Sequence, residues 1–382
     1  MKIGVMTYWA GNSNYGMMMQ CWALQQYLKG LGHDPYVIKF VKKDKQSLYR
    51  RVLLKLGLLD QVRRIKCLYT KTKFIDAKKN NKIRQFEAFR NKNLAFSQDC
   101  YSSVKELQTN PPLADCYITG SDQVWSQLLD DYENTAYYLN FGEKNTLRIS
   151  YAPSFSLTEY PTFLTDKLAG MLKKLDHISV REYDGVEICK KVGFEAIKVL
   201  DPTLLLDKSH YLDLCKTIPT TTSNFIFIYS LNLSSPQDIR WEELREFGKT
   251  YNQEFLVTPS DGYFMGGEIF GDDVVYRYAT IEEWLAMIRD AQLIVTPSFH
   301  GVALSIILEK PFVYIPLKGR FASGNNRVLD LLNELQLEDR ILNDEDTYSS
   351  LIEKKIDWKA TKRLMSTCQD DSISYMQNAL VL

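Results

Sequence analysis

No hydrophobic run in this chain approaches the roughly 20 residues that a membrane-spanning helix needs, so a helical integral membrane protein is excluded. There is no C-x-x-C spacing, and the seven cysteines are an odd number. That excludes a complete disulfide framework and disfavours a zinc site. Cys21, Cys116 and Cys189 lie in apolar stretches and read as reduced core residues of a cytoplasmic protein. Net charge is also lacking, since 47 basic residues balance 47 acidic ones. Histidine is scarce, with His33, His177, His210 and His300 the full set. No low-complexity segment or internal repeat is visible. The apolar part of Met1–Thr7 is too short for a signal peptide and reads as a first strand. What is present is ordinary for a soluble globular chain, with 45% hydrophobic and 25% charged residues. A length of 382 residues exceeds one ordinary core and predicts two domains.

The neutral total hides an uneven distribution. Lys42 to Lys92 holds 17 Lys or Arg against four acids, Asp44, Asp60, Asp76 and Glu87. The simpler reading is a solvated helical insert. The sharper one is a surface that docks an anionic membrane or an acidic glycan. Tyr49, Tyr69, Phe74, Phe86 and Phe89 are interleaved, but at spacings that suit a helix core, and no nucleic-acid motif accompanies them.

Strand-like and helical runs alternate, as in parallel sheets with crossover helices. Strands are predicted at Ile3–Tyr8, Pro35–Phe40, Cys116–Thr119, Arg148–Tyr151, His177–Val180 and Ile197–Leu200. A second series comprises Phe225–Tyr229, Glu254–Val257, Val274–Arg277, Leu293–Thr296 and Phe312–Ile315. Helices are expected at about Met17–Leu31, Ile281–Asp290, Val302–Leu308 and Ser372–Val381. The turn-rich Thr220-Thr-Thr-Ser marks the break between series. The expected architecture is α/β, with two Rossmann-like domains facing across a cleft. Residues 1–207 form the first domain, with a basic insert at about 42–95. Residues 208–360 form the second, and 361–382 pack back on the first. Polar or glycine residues follow the strands, where open α/β sheets bind ligands.

The most informative stretch is Leu293-Ile-Val-Thr-Pro-Ser-Phe-His-Gly301. An apolar strand stops at Ser298 and a helix restarts near Gly301, so free backbone N–H groups converge on a small space suited to an anion. His300 stands there as a candidate proton-transfer group. The competing reading is a histidine satisfied inside a strand end.

Several loops together resemble the polysaccharide pyruvyltransferase family. They are Asn14-Tyr-Gly16 with Gln20 and Ala23-Leu-Gln25; Gly120-Ser-Asp-Gln-Val-Trp125; Ser179-Val-Arg-Glu182; Val199-Leu-Asp-Pro-Thr-Leu-Leu205; and Ser298-Phe-His-Gly301 leading to Lys310-Pro-Phe312. They span most of the chain in the family's order. The resemblance implies a GT-B-like fold and transfer of pyruvyl from phosphoenolpyruvate to a sugar, giving a cyclic ketal. It implies no redox centre, no obligatory metal and no cofactor beyond that donor.

Under this resemblance His300 is the acid toward C3 of the donor or toward the departing phosphate. Arg181 directly follows an apolar strand and would grip phosphate or carboxylate bidentately; an ion pair with Glu182 or another local acid is the alternative. Ser298, Phe299 and Gly301 would seat the phosphate at a helix N-terminus. Some family members carry an arginine where this chain has Ser298, so Lys318 and Arg320, with Arg327 next, are the available substitute cations. In the acceptor-facing domain, Asp122 could take the proton of an attacking hydroxyl, with Ser121 and Gln123 binding hydroxyls. Asp122 could equally cap the following turn. Asn12, Asn14 and Gly16 shape the first strand-to-helix loop and are expected to line the cleft. Trp125 reads as core and Asp201-Pro202 as a structural strand end.

The expected partners are therefore phosphoenolpyruvate and a glycan acceptor, lipid-linked or free, with peripheral membrane contact through residues 42–92. The nearest rival is a glycosyltransferase using a nucleotide sugar, which would share the architecture. A non-catalytic glycan-binding relative is a third reading.

Overall fold

The computed structural model describes residues 1–43, 61, 77–233, 235–259 and 268–381. The first unit is built on β1 (Lys2–Met6), β2 (Asp34–Phe40), β3 (Phe96–Tyr101), β4 (Cys116–Thr119) and β5 (Leu147–Ser150). Their spatial order is β3-β2-β1-β4-β5, every pair parallel. A short parallel pair, β6 (Ser179–Val180) and β7 (Ile197–Lys198), continues this unit, joined where Ser150 N–H donates to the His177 carbonyl at 3.1 Å. The second unit repeats the plan with β8 (Phe225–Ser230), β9 (Glu254–Pro259), β10 (Val275–Tyr276), β11 (Leu293–Thr296) and β12 (Phe312–Tyr314). Its order is β10-β9-β8-β11-β12, again parallel. Both sheets have the Rossmann order with its reversal beside the first strand, and ligands of such sheets bind beyond the carboxyl ends at that reversal. The fold is α/β, two Rossmann-like units in a GT-B-like arrangement.

Aromatic packing joins the units. Tyr15 opens the helix Tyr15–Gly30 of the first unit, stacks on Trp284 of the second at 5.1 Å, and donates its hydroxyl to the Ala279 carbonyl at 2.6 Å. The helix Phe299–Ile307 is buried over nearly its whole length. Its Val302 and Ala303 share a core with Met17, Met18 and Leu204. A helix apolar on every side needs such a two-sided burial, and this one runs through the junction.

Several expectations need correction. The polar strand β3 escapes prediction because it is an edge whose Gln98, Asp99 and Cys100 face solvent. The strands expected at His177–Val180 and Ile197–Leu200 shrink to two paired residues each. The final helix runs Trp358–Ala379 instead of starting at Ser372, and so begins inside the segment assigned to the second domain. It lies on the first unit: Tyr375 OH donates to the Ser150 carbonyl at 2.8 Å, and Met376 and Ala379 are buried with Ile3, Val5 and Ile149.

Most of the basic segment, and with it Tyr49, Tyr69, Phe74 and the membrane-docking expectation, lies outside the described residues. Two of its cations are not surface charges. Arg84 is buried and donates to the Pro259 carbonyl at 2.6 Å, while Arg90 donates to the Gly11 carbonyl at 2.9 Å and to Asn12 Oδ1 at 2.8 Å.

Candidate active site

Asp201 sits just beyond β7, and Pro202 behind it starts a 3₁₀ turn, Pro202–Leu205. Its Oδ1 accepts from Thr203 N at 3.0 Å and Thr203 Oγ1 at 2.7 Å, capping that turn. Its Oδ2 accepts from Ser121 Oγ at 2.7 Å and from Arg181 Nη1 at 2.7 Å. His300 Nε2 lies 3.4 Å from the same oxygen. Burial alone would raise this carboxyl, but the charge and proximity of His300, then Arg181, and the Ser121 hydroxyl outweigh it and hold the group well below the usual carboxylate range. The residue expected to be only a structural strand end is thus the hub. Its position at a strand's carboxyl end, level with Ser121 and Arg181, was the available signal.

Arg181 is anchored through its backbone N–H to the Pro153 carbonyl at 3.2 Å. Its guanidinium does not project free into the cleft as expected; Asp201 engages Nη1 in a fully buried ion pair, and the plane lies 4.9 Å above the Phe299 ring. Nε and Nη2 are buried and bond to no protein atom. The neighbouring Glu182 is not its partner. Glu182 Oε1 accepts from Phe155 N at 2.8 Å and Ser156 N at 3.2 Å, while burial, opposed by Arg181 and Arg327, raises its pKa.

His300 comes from the opposite unit. The helix begins at Phe299, earlier than the restart expected near Gly301, because Ser298 caps it by accepting from Gly301 N at 3.3 Å. Ser298 N–H in turn donates to Thr296 Oγ1 at 3.1 Å. His300 therefore occupies the first turn, where backbone amides have no partner within the helix. Gly301 is needed for space, since a Cβ there would meet Thr296 Cγ2 at 2.8 Å. Gly16 is needed more acutely: a Cβ at this position would lie 2.1 Å from His300 Nδ1. Gly16→Ala is expected to push the imidazole away from Asp201, with an overpacking cost of roughly 1–3 kcal/mol. Turnover should fall further than the melting temperature suggests. A variant with unchanged turnover and unchanged melting would show that the ring position is not used.

The loop Gly120–Gln123 splits its contacts. Ser121 serves Asp201. Asp122 has φ +84°, an uncommon conformation for a residue with a side chain, and its Oδ1 accepts from Gln123 N at 2.8 Å. Gln123, with its amide oxygen turned to the available donors, accepts from Arg327 Nη1 at 2.9 Å, Arg327 Nη2 at 2.7 Å and Ser156 Oγ at 3.0 Å. Arg327 Nε donates to the Gly324 carbonyl at 3.1 Å. Burial, followed by the like charge of Arg181, lowers Arg327 to about 10.

The other expected residues fall elsewhere. Asn14 caps the helix Tyr15–Gly30, its Oδ1 accepting from Met17 N at 3.1 Å. Lys318 is exposed and borders a separate 190 Å³ cavity with Asn232, Leu233, Pro316 and Phe321. The side chain of Arg320 lies outside the described residues. Trp125 is core, stacked on Tyr138 at 5.0 Å.

Residues 14–319 match the family model described as Polysaccharide pyruvyl transferase. That span includes Asp122, Arg181, Asp201 and His300. No curated protein matches the chain. Among solved structures, UDP-GlcNAc 2-epimerase from Neisseria meningitidis bound to UDP-GlcNAc is similar at 11% identity and a TM-score of 0.49, covering 99% of this chain and 100% of that one. UDP-N-acetylglucosamine 2-epimerase from Rickettsia bellii follows at 9% identity and a TM-score of 0.47, covering 99% and 97%. The E. coli heptosyltransferase WaaC gives 10% identity and a TM-score of 0.39, covering 96% and 99%. With the family model matched over most of its length, the chain belongs to the polysaccharide pyruvyl transferase family.

Proposed function

We propose that this transferase moves a pyruvyl group from phosphoenolpyruvate onto two hydroxyls of a sugar in a surface-polysaccharide precursor, forming a cyclic ketal and releasing phosphate. The supporting observation is the convergence of Arg181 and His300, from opposite units, on one buried carboxylate oxygen of Asp201. The reaction needs a proton donor beside an anion site. C3 of the donor gains a proton as C2 becomes oxocarbenium-like. One sugar hydroxyl adds to C2, the C2–O bond to phosphate breaks, and the second hydroxyl closes the ring. Of the two protons lost by the diol, one balances the new methyl group and the other leaves with phosphate.

His300 is the group assigned to that proton transfer. Asp201, with its Oδ2 3.4 Å from His300 Nε2, is assigned to orient the imidazole. Arg181, whose Nε and Nη2 lack protein partners, is assigned to the donor's carboxylate or phosphate. Asp122 is placed on the acceptor side as the base for the attacking hydroxyl. The acceptor is a glycan, carried on a lipid or free.

The test is incubation with phosphoenolpyruvate and a panel of lipid-linked and nucleotide-linked glycans, following phosphate release together with product mass. A gain of one pyruvic acid less one water, with phosphate released in equal amount, is expected. Sugar transfer from a nucleotide donor without consumption of phosphoenolpyruvate would replace this reading with the glycosyltransferase one. Binding without turnover of either donor would favour a non-catalytic relative.

A further inference from the structure

Arg327 is the first residue after Asn326 in the helix Asn326–Glu334 of the second unit, yet that helix is fastened to the first unit. Tyr183 N–H donates to Asp330 Oδ2 at 2.9 Å and Tyr183 OH to Glu334 Oε1 at 2.9 Å. Lys198 pairs with Glu334, and Asn326 donates to Asp184. These contacts deliver the Arg327 guanidinium to Gln123 and within electrostatic reach of Arg181. Among the described residues no carboxylate forms an ion pair with Arg327, whose protein partners are an amide oxygen and a carbonyl. Two guanidiniums, one from each unit, therefore share one region. One of them keeps two buried nitrogens unbonded, an arrangement that costs free energy until an acceptor arrives.

We propose that Arg327 and Arg181 form a two-guanidinium clamp, in which the bound donor anion ties the second unit to the first and reinforces the contacts that hold the helix Asn326–Glu334 on Tyr183 and Lys198. This rests on the reading of phosphoenolpyruvate as donor and adds a specific residue and a linkage to it. A small molecule with two anionic ends suits two planar forks better than point charges, because each fork can make paired hydrogen bonds. Binding energy gained by one end is then available to hold the units together, so donor affinity and closure rise and fall as one quantity.

The experiment is calorimetric titration of phosphoenolpyruvate into wild type, Arg327→Gln and Arg327→Lys, with hydrogen exchange over 326–334 measured on the same samples. Wild type should bind, and the donor should slow exchange in that helix. In Arg327→Gln the dissociation constant should rise roughly ten- to hundredfold, the size of one lost charge-assisted hydrogen bond, and the exchange response should vanish. Its unfolding midpoint without ligand should hold, because relief of repulsion from Arg181 offsets the lost bonds. Arg327→Lys, which retains charge without the planar fork, should fall between the two; it also decides the matter if the glutamine variant does not fold. Wild-type affinity in both variants, or an exchange response that survives, overturns the clamp alone. No binding of phosphoenolpyruvate to wild type overturns the proposed donor, and the clamp with it.

Discussion

Asp201→Asn is expected to destabilise the protein by roughly 3–5 kcal/mol, the cost of breaking a buried ion pair by removing one partner. The amide oxygen can still accept from Thr203, but its NH₂ would face Ser121 Oγ and Arg181 Nη1, which now donate to Oδ2. Donor would meet donor in a site with almost no solvent, leaving a guanidinium without its counter-charge. The pH dependence has a defined sign. The folded-state pKa of Asp201 is depressed by His300 and Arg181 against the pull of burial. Its contribution is therefore fully present above the unfolded value of about 3.9 and is lost as pH falls below that toward the folded value. Denaturant unfolding of wild type and variant at pH 7 should show the full difference, and the gap should narrow as the buffer is taken below about pH 4. A difference under about 1 kcal/mol at pH 7 would place this pair among weakly contributing surface bridges and contradict the role of hub.

The second large effect is kinetic. His300→Ala is expected to retain phosphoenolpyruvate binding while turnover falls by about 10²–10⁴, the range contributed by one general acid or base. The separation is expected because the 2.7 Å bonds from Arg181 and Ser121 to Asp201 Oδ2 do not pass through His300, so the group assigned to the donor anion keeps its anchor when the imidazole is removed. Donor affinity by calorimetry and phosphate release under saturating donor separate the two quantities. Equal loss of affinity and turnover would make His300 a binding group. Unchanged turnover would remove it from the chemistry.

Much of this arrangement was legible in the chain because short apolar runs ended in polar residues. Cys116–Thr119, Leu293–Thr296 and Ile281–Asp290 match the observed elements residue for residue. Runs buried on both faces leave strong signals. Edge β3 leaves almost none, and neither does the amino-terminal half of the last helix, where Thr361 and Met365 are the buried positions. At the site, Ser121, Arg181 and His300 could be singled out because each follows a strand. Their common partner shares that position but reads as structural, because Asp-Pro after a strand is also ordinary turn chemistry. A carboxylate shared by three elements is a fact of tertiary structure, invisible to periodicity. The distinction between Lys318 and Arg327 was likewise not available from spacing. Arg327 reaches Gln123 because Tyr183 and Lys198 hold its helix from the other unit.

The most direct measurement is the mass of the product formed from phosphoenolpyruvate and acceptor glycan in D₂O, for wild type beside His300→Ala. If the cluster around Asp201 protonates C3, the wild-type ketal methyl carries one deuterium and the variant yields little or no ketal. A wild-type product without deuterium, or a variant that makes labelled ketal at the wild-type rate, would contradict the account.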